Sequence, residues 1–203
     1  MKLLLASKSP RRRQLLSQLG YPVEFVDIDV DEHVPDGTPA ADMAELLACR
    51  KAAAFDISIF NFQFSISEDT VLVAADTIVV LDGQPLGKPT SRQQAIDMLH
   101  ALSGRHHSVY TGVCLRPLTQ AIKQSDNQAI LTHHFSEKTD VYFRELTDDE
   151  ITHYVDTYRP FDKAGAYGIQ EWIGMVGISR IEGCYYNVMG LPLAALWQHL
   201  QSV

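Results

Sequence analysis

Residues 71–81, Val-Leu-Val-Ala-Ala-Asp-Thr-Ile-Val-Val-Leu, constrain the fold of this chain more than any other stretch. A run this apolar and β-branched reads as a buried strand. Only Asp76 and Thr77 interrupt it. A lone carboxylate in such a strand is costly to bury unless it meets a cation, a metal ion or a bound water. A general base or metal ligand at a strand end satisfies that need. So does a bend in which Asp76 caps a turn or pairs with a structural arginine. Asp82-Gly83 then reads as a turn.

The chain has 203 residues, enough for one large domain or two lobes, and its composition places no boundary between lobes. A single domain over 1–203 is therefore expected. A formal net charge of −8 argues against a nucleic-acid polymer or an anionic membrane as partner. It leaves room for a small anion held by a local cluster of cations. Cys49, Cys114 and Cys184 show no CxxC spacing, so neither a zinc ribbon nor a disulfide framework is expected. The apolar run at Leu3–Ala6 is broken too early for a signal-peptide core, and no stretch approaches a membrane span. A cytoplasmic location is the expectation.

Leu3 to Ala6 reads as a strand. Ser9 is a natural N-cap with Pro10 at the first helical position, and that helix should reach Leu19 and stop at Gly20. Tyr21 to Val30 reads as a second strand, and Thr38-Pro39 repeats the cap-then-proline start for a helix to about Ala54. Phe55 to Ser67 reads as an extended connection. A helix should start near Ser91 and end before Gly104. His107–Leu115, Ala129–Phe135 and Lys138–Arg144 read as strands. Thr147 and Glu150 form a capping box for a helix ending near Tyr158. Met175–Ile181 and Tyr185–Val188 read as a hairpin around Glu182-Gly183, followed by a helix from about Pro192 to Gln201. Hairpins and crossovers together predict an α/β fold with a mixed sheet.

Two places suit chemistry. Ser7-Lys8-Ser9-Pro10-Arg11-Arg12-Arg13 puts hydroxyls and guanidiniums at a helix start, where unpaired N–H groups favour an anion. It lacks the G-x-x-x-x-G-K-[ST] pattern, and a capped surface helix with solvated arginines is an equal reading. Asp76 is the second place. Lys51 and Lys88 extend the cationic set, and Glu32 is a candidate partner of Asp76 at a divalent cation; each alone also reads as a solvated charge. His106-His107 and His133-His134 read as surface or loop residues whose rings point to opposite faces. No zinc spacing and no G-x-S-x-G elbow occur.

Five segments, in this order, resemble the Maf family: Leu5–Arg13, Ala74–Val79, Leu86–Pro89, Asp162–Gln170 and Asn187–Leu193. The resemblance implies an α/β fold similar to that of inosine triphosphatase, with a mixed twisted sheet flanked by helices and an active-site cleft between two lobes. It implies hydrolysis of a nucleoside triphosphate between its α- and β-phosphates, with a divalent cation (Mg²⁺ or Mn²⁺), in a cytoplasmic homodimer. It also implies removal of non-standard nucleotides or a link to septum formation and division arrest. Position by position, Asp76 matches the family's proton acceptor. Ser7, Arg12, Lys51 and Lys88 match phosphate contacts, and Glu32 an acidic position near the metal held with Asp76.

Arg11, Thr77 and Gln170 match positions that separate subgroups, and all three resemble the subgroup acting on dTTP and UTP. The 7-methyl-GTP subgroup tends to carry Trp, Gln and Glu at or near these places. A 7-methyl-GTP or modified-nucleotide pyrophosphatase is the competing enzyme reading. A nucleotide-binding division regulator is the competing non-enzyme reading, with Phe55–Ser67 as its candidate surface. Gln170 suits the edge of a pyrimidine. Tyr167 reads either as a base-stacking ring or as a core aromatic.

Overall fold

The protein, seen in a computed structural model, is described over residues 1–35, 37–56, 69–118 and 132–202. Its strands are β1 (Lys2–Ala6), β2 (Val23–Val26), β3 (Thr70–Leu81), β4 (Gln84–Leu86), β5 (His106–Pro117), β6 (His133–Phe143) and β7 (Ile178–Glu182). Its helices are α1 (Pro10–Ser17), α2 (Ala40–Ala53), α3 (Arg92–Leu102), α4 (Asp148–Tyr158), α5 (Trp172–Gly177), α6 (Tyr185–Met189) and α7 (Leu193–Leu200). The strands form one sheet in the order β2-β1-β3-β5-β6-β7, with β4 added to β3. β1 runs parallel to β2 and β3, while β3–β4 and β6–β7 are antiparallel. The expected mixed α/β sheet is the one observed. Among the described residues, no helix is long and apolar enough to cross a membrane.

The chain divides into two compact units, and β3, β5 and β6 contribute residues to both. The first unit comprises 1–76, 111–137 and 190–203. Its core brings Leu4, Ala6, Leu72 and Ala74 of β1 and β3 under Ala48, Ala52 and Phe55. The register pairs Ala6 with Ala74, so small side chains meet near the middle of β3. Helix α2 is seated on β5 by residues two apart, which strand geometry puts on one face. At Gly112 an added Cβ would lie 2.3 Å from the backbone carbonyl carbon of Ala44. Cys114 is buried in this core with Cys49 packed against it, and Arg116 donates to the carbonyls of Ala52 and Phe55 at 3.0 and 2.9 Å. Arg116 thus satisfies carbonyls at the helix end that have no partner within the helix. All three cysteines are free thiols.

The second unit comprises 77–110 and 138–189. Its core joins Val79 and Leu81 of β3 with Ala95 and Leu99 of α3, Ile151 and Tyr154 of α4, and Tyr167 and Ile173. The capping box predicted at Thr147 and Glu150 forms in both directions. Asp82 and Gly83 both have positive φ, as a two-residue hairpin turn requires.

Several expectations are corrected. Helix α1 ends at Ser17 rather than Leu19, and β2 is four residues rather than ten. Thr38 does not cap α2; its hydroxyl donates to Pro35 O at 2.7 Å. Lys138–Arg144 is not a separate strand, because β6 runs unbroken from His133 to Phe143; residues 129–131 lie outside the described set. Met175–Gly177 belongs to helix α5, so the strand expected from Met175 begins at Ile178, and Tyr185–Val188 is helical, not a strand. Asn187 is fully buried there and donates to Val109 O and Thr139 Oγ1 at 3.1 and 2.9 Å, contacts that a sequence pattern does not reveal.

His107 is not a surface residue. It is 2 % exposed, its Nε2 lies 2.7 Å from the Tyr167 hydroxyl, and burial pushes the imidazole down to about 4. His106 on the opposite face is exposed, so the alternation itself holds. Of the Phe55–Ser67 segment only Phe55 and Asp56 are described; the rest, with its proposed regulatory surface, lies outside the described residues.

The seating of α2 on β5 leaves no room at Gly112. Gly112→Ala should lower unfolding stability by about 3 kcal/mol or more, at the upper end for overpacking because the atoms it meets are backbone. A shift in the urea midpoint at unchanged slope would measure it.

Candidate functional site

In the first unit the β1–α1 junction is built by nested hydrogen bonds. Ser7 N–H donates to Val26 O at 3.1 Å, which holds the end of β1 against β2. Ser7 Oγ accepts the Ser9 N–H at 3.1 Å, and Ser9 Oγ accepts the Arg12 N–H at 3.4 Å. Ser9 is thus the N-cap and Pro10 the first helical residue, as predicted. Ser7 is buried, and its own O–H remains a donor.

The basic residues of this segment separate by partner. Lys8 Nζ contacts both carboxylate oxygens of Asp29, at 2.7 and 2.6 Å, and Asp29 raises its pKa. Arg13 pairs with Asp27 and donates from Nε to Ser7 O at 3.1 Å. Those two cations therefore have structural partners. Arg12 Nε donates to Gly190 O at 2.8 Å, which fixes the direction of its guanidinium. Burial lowers the Arg12 pKa; the charges of Asp76 and Glu32 oppose that and Arg11 adds to it. Arg12 is thus within electrostatic reach of both acids. Arg11 is half-buried on the same helix.

Asp76 sits in the middle of β3, not at a strand end. It is half-buried, and its partner is Lys51, whose Nζ donates to Asp76 Oδ1. Side-chain exposure is 13 % for Lys51 and 15 % for Asp76, so the pair is largely shielded from water. Lys51 lies three and four residues beyond the buried Ala48 and Leu47, at the edge of the helix's packed stripe, and near the end where a cation suits the helix dipole. Its ammonium also lies 3.5 Å from Glu32 Oε1, whose side chain is 61 % exposed. Two carboxylates therefore converge on one cation.

That donor set bears on the expected divalent metal. Among the described residues, no group of three or more His, Cys, Asp or Glu could cage an ion. Glu32 and Asp76 alone fit a hard cation such as Mg²⁺, which is commonly held by one or two carboxylates with water and phosphate completing its shell.

The remaining candidates lie in the second unit. Thr77 is half-buried on β3 next to Asp76 in sequence, and Lys88 is exposed after β4 with no ion pair among the described residues. Gln170 is half-buried, and its Oε1 is buried with no hydrogen-bond partner among the described residues. Tyr167 is a core aromatic, packed edge-on against His107 and Phe143, which removes it as a base-stacking ring. Sequence reasoning missed the carbonyl of Gly190, which lies within the Asn187–Leu193 segment. It also missed Asp27 and Asp29 as the partners that take Arg13 and Lys8 out of contention.

The sequence pattern of the family described as Maf-like protein matches residues 2–203. A protein of Bacteroides fragilis named dTTP/UTP pyrophosphatase is 45% identical over 204 residues, covering 100% of this chain and 96% of the relative. A protein of the same name from Phocaeicola vulgatus is 43% identical, again over 100% and 96%. Another, from Carboxydothermus hydrogenoformans, is 44% identical over 100% of this chain and 98% of its own length.

The separation of the arginines predicts unequal roles in anion binding. Arg12→Met should weaken binding of inorganic tripolyphosphate by about tenfold or more, the worth of one charge-assisted contact. Arg13→Met should change it by less than about threefold. Isothermal titration of the two variants checks both.

Proposed function

The chain belongs to the Maf family, and from that premise we propose that it is a nucleoside triphosphate pyrophosphatase. It hydrolyses dTTP and UTP to the nucleoside monophosphate and pyrophosphate. The observation that carries this reading is the meeting of Asp76, Lys51 and Glu32, in a chain alike over its full length to proteins named for that reaction.

Asp76 is the proton acceptor. Lys51 holds its Oδ1, which leaves Oδ2 to receive the proton as water attacks and pyrophosphate departs. The neighbouring ammonium and the Arg12 guanidinium, aimed by Gly190 O, stabilise charge gathering on the phosphate oxygens. Ser7 donates its hydroxyl to the triphosphate, and Lys88, exposed and without an ion pair among the described residues, adds a further cationic contact. Asp76 and Glu32 would hold a divalent cation, Mg²⁺ or Mn²⁺, which when bound supplies Lewis-acid polarisation of phosphate oxygens.

Arg11, Thr77 and Gln170 set the choice of base. The unpartnered Gln170 Oε1 is an acceptor, and uracil and thymine present an N3–H donor where cytosine presents an acceptor. A site with a buried acceptor rejects a ligand that leaves it unpaired.

A nucleotide panel with and without divalent metal tests the proposal. UTP and dTTP should release pyrophosphate and be preferred over CTP and 7-methyl-GTP. Preference for 7-methyl-GTP would overturn the reading of Arg11, Thr77 and Gln170. Asp76→Asn should lose about 10²–10⁴-fold in kcat while still folding and binding nucleotide. Normal turnover by that variant would remove Asp76 from the role.

A further inference from the structure

Gln170 lies in a short turn whose two ends are tied to one tyrosine. The Gly168 N–H donates to the Tyr154 hydroxyl at 3.1 Å, and that hydroxyl donates to Glu171 Oε2. Glu171 N–H closes the turn on Gly168 O at 3.0 Å. The other carboxylate oxygen of Glu171 lies 3.0 Å from Lys163 Nζ, which also donates to Asp162 Oδ1 at 2.7 Å. Tyr154 is fully buried and Lys163 nearly so, and burial raises the tyrosine pKa, so its hydroxyl keeps the proton it donates.

The turn also leaves no slack around the Gln170 amide. A Cβ at Gly168 would lie 3.0 Å from Gln170 Nε2 and 3.0 Å from Glu171 Cδ. The amide nitrogen is thus packed against the Gly168 backbone, while Oε1 is buried with no hydrogen-bond partner among the described residues. A glutamine side chain ordinarily rotates to satisfy such an acceptor. Here the backbone on both sides is fixed by buried hydrogen bonds with ionic support, and the side chain is confined by contact.

We propose that Tyr154, Glu171 and Lys163 are positioning residues that hold the Gln170 carboxamide with its oxygen poised for a ligand N–H, and so determine selectivity for uracil and thymine over cytosine. This rests on the reading of Gln170 as a base contact. The network touches no phosphate and no proton in flight; it acts through the orientation of one amide.

The test is the ratio of kcat/KM for UTP to that for CTP, each pair measured on one preparation, so that a partly unfolded sample cancels. Tyr154→Phe removes both ties of the hydroxyl and keeps the ring. It should lower the ratio about tenfold, through a raised KM for UTP with kcat within about threefold. Glu171→Gln keeps an acceptor for Tyr154 but loses the ion pair with Lys163, and should lower the ratio by a smaller factor, about threefold. If Gln170→Ala collapses the ratio while Tyr154→Phe and Glu171→Gln leave it at the wild-type value, the network serves stability alone and the inference is wrong. If Gln170→Ala itself leaves the ratio unchanged, the reading of Gln170 fails and the inference fails with it.

Discussion

The ion pair between Lys51 and Asp76 is the interaction that fixes where helix α2 must sit in the first unit. A carboxylate in the middle of a buried strand is tolerated only with a partner, and removing one member of such a pair strands the other. The partner comes from a helix, so the helix must be seated within narrow limits. Gly112 permits its backbone to touch β5, and Arg116 holds the carbonyls of Ala52 in its last turn and of Phe55 just beyond it. The small residues Ala6 and Ala74, paired across β1 and β3, line the same core. An arrangement of this kind is poor economy for stability alone, since a hydrophobic replacement of a buried pair is often as stable. The use proposed for it is chemical, and it brings a carboxylate, an ammonium and a second acid to one place.

The surrounding cations are sorted by the company they keep. Lys8 and Arg13 are absorbed by Asp29 and Asp27, and those contacts brace the β1–α1 junction. Arg12 is aimed by a backbone carbonyl, which orients a guanidinium without supplying a counter-charge. In the second unit the same logic appears in neutral form. A tyrosine hydroxyl and a buried ion pair support the backbone around Gln170, whose amide oxygen has no hydrogen-bond partner among the described residues.

Local chemistry was the legible part of the fold. Ser9-Pro10, Thr147 with Glu150, and Asp82-Gly83 were readable because caps and turns are decided within a few residues. The Val71–Leu81 strand was readable from its continuous apolar character. Residues 185–188 were misread because α6 is held by Asn187 bonding to β5 and β6, a tertiary contact that overrides an apparent strand pattern. His107 was misplaced for a similar reason: its burial depends on Tyr167, 60 residues away. The candidate residues themselves were recognisable, but not their pairing. Lys51 and Asp76 are 25 positions apart, and Arg12 meets a carbonyl 178 positions away. Nothing local distinguishes Arg12 from Arg13; their partners do.

If the pair serves turnover, Lys51 and Asp76 act as a unit. Kinetics of Lys51→Met, Asp76→Asn and the double variant on UTP, assembled as a double-mutant cycle, test it most directly. In the wild-type background Lys51→Met should lower kcat/KM by about 10²-fold, the range for loss of an electrostatic stabiliser. In the Asp76→Asn background the same change should cost less than about fivefold, since residues acting together are strongly non-additive. Equal losses in the two backgrounds would mean that the two residues act independently and that the pair is not a catalytic unit.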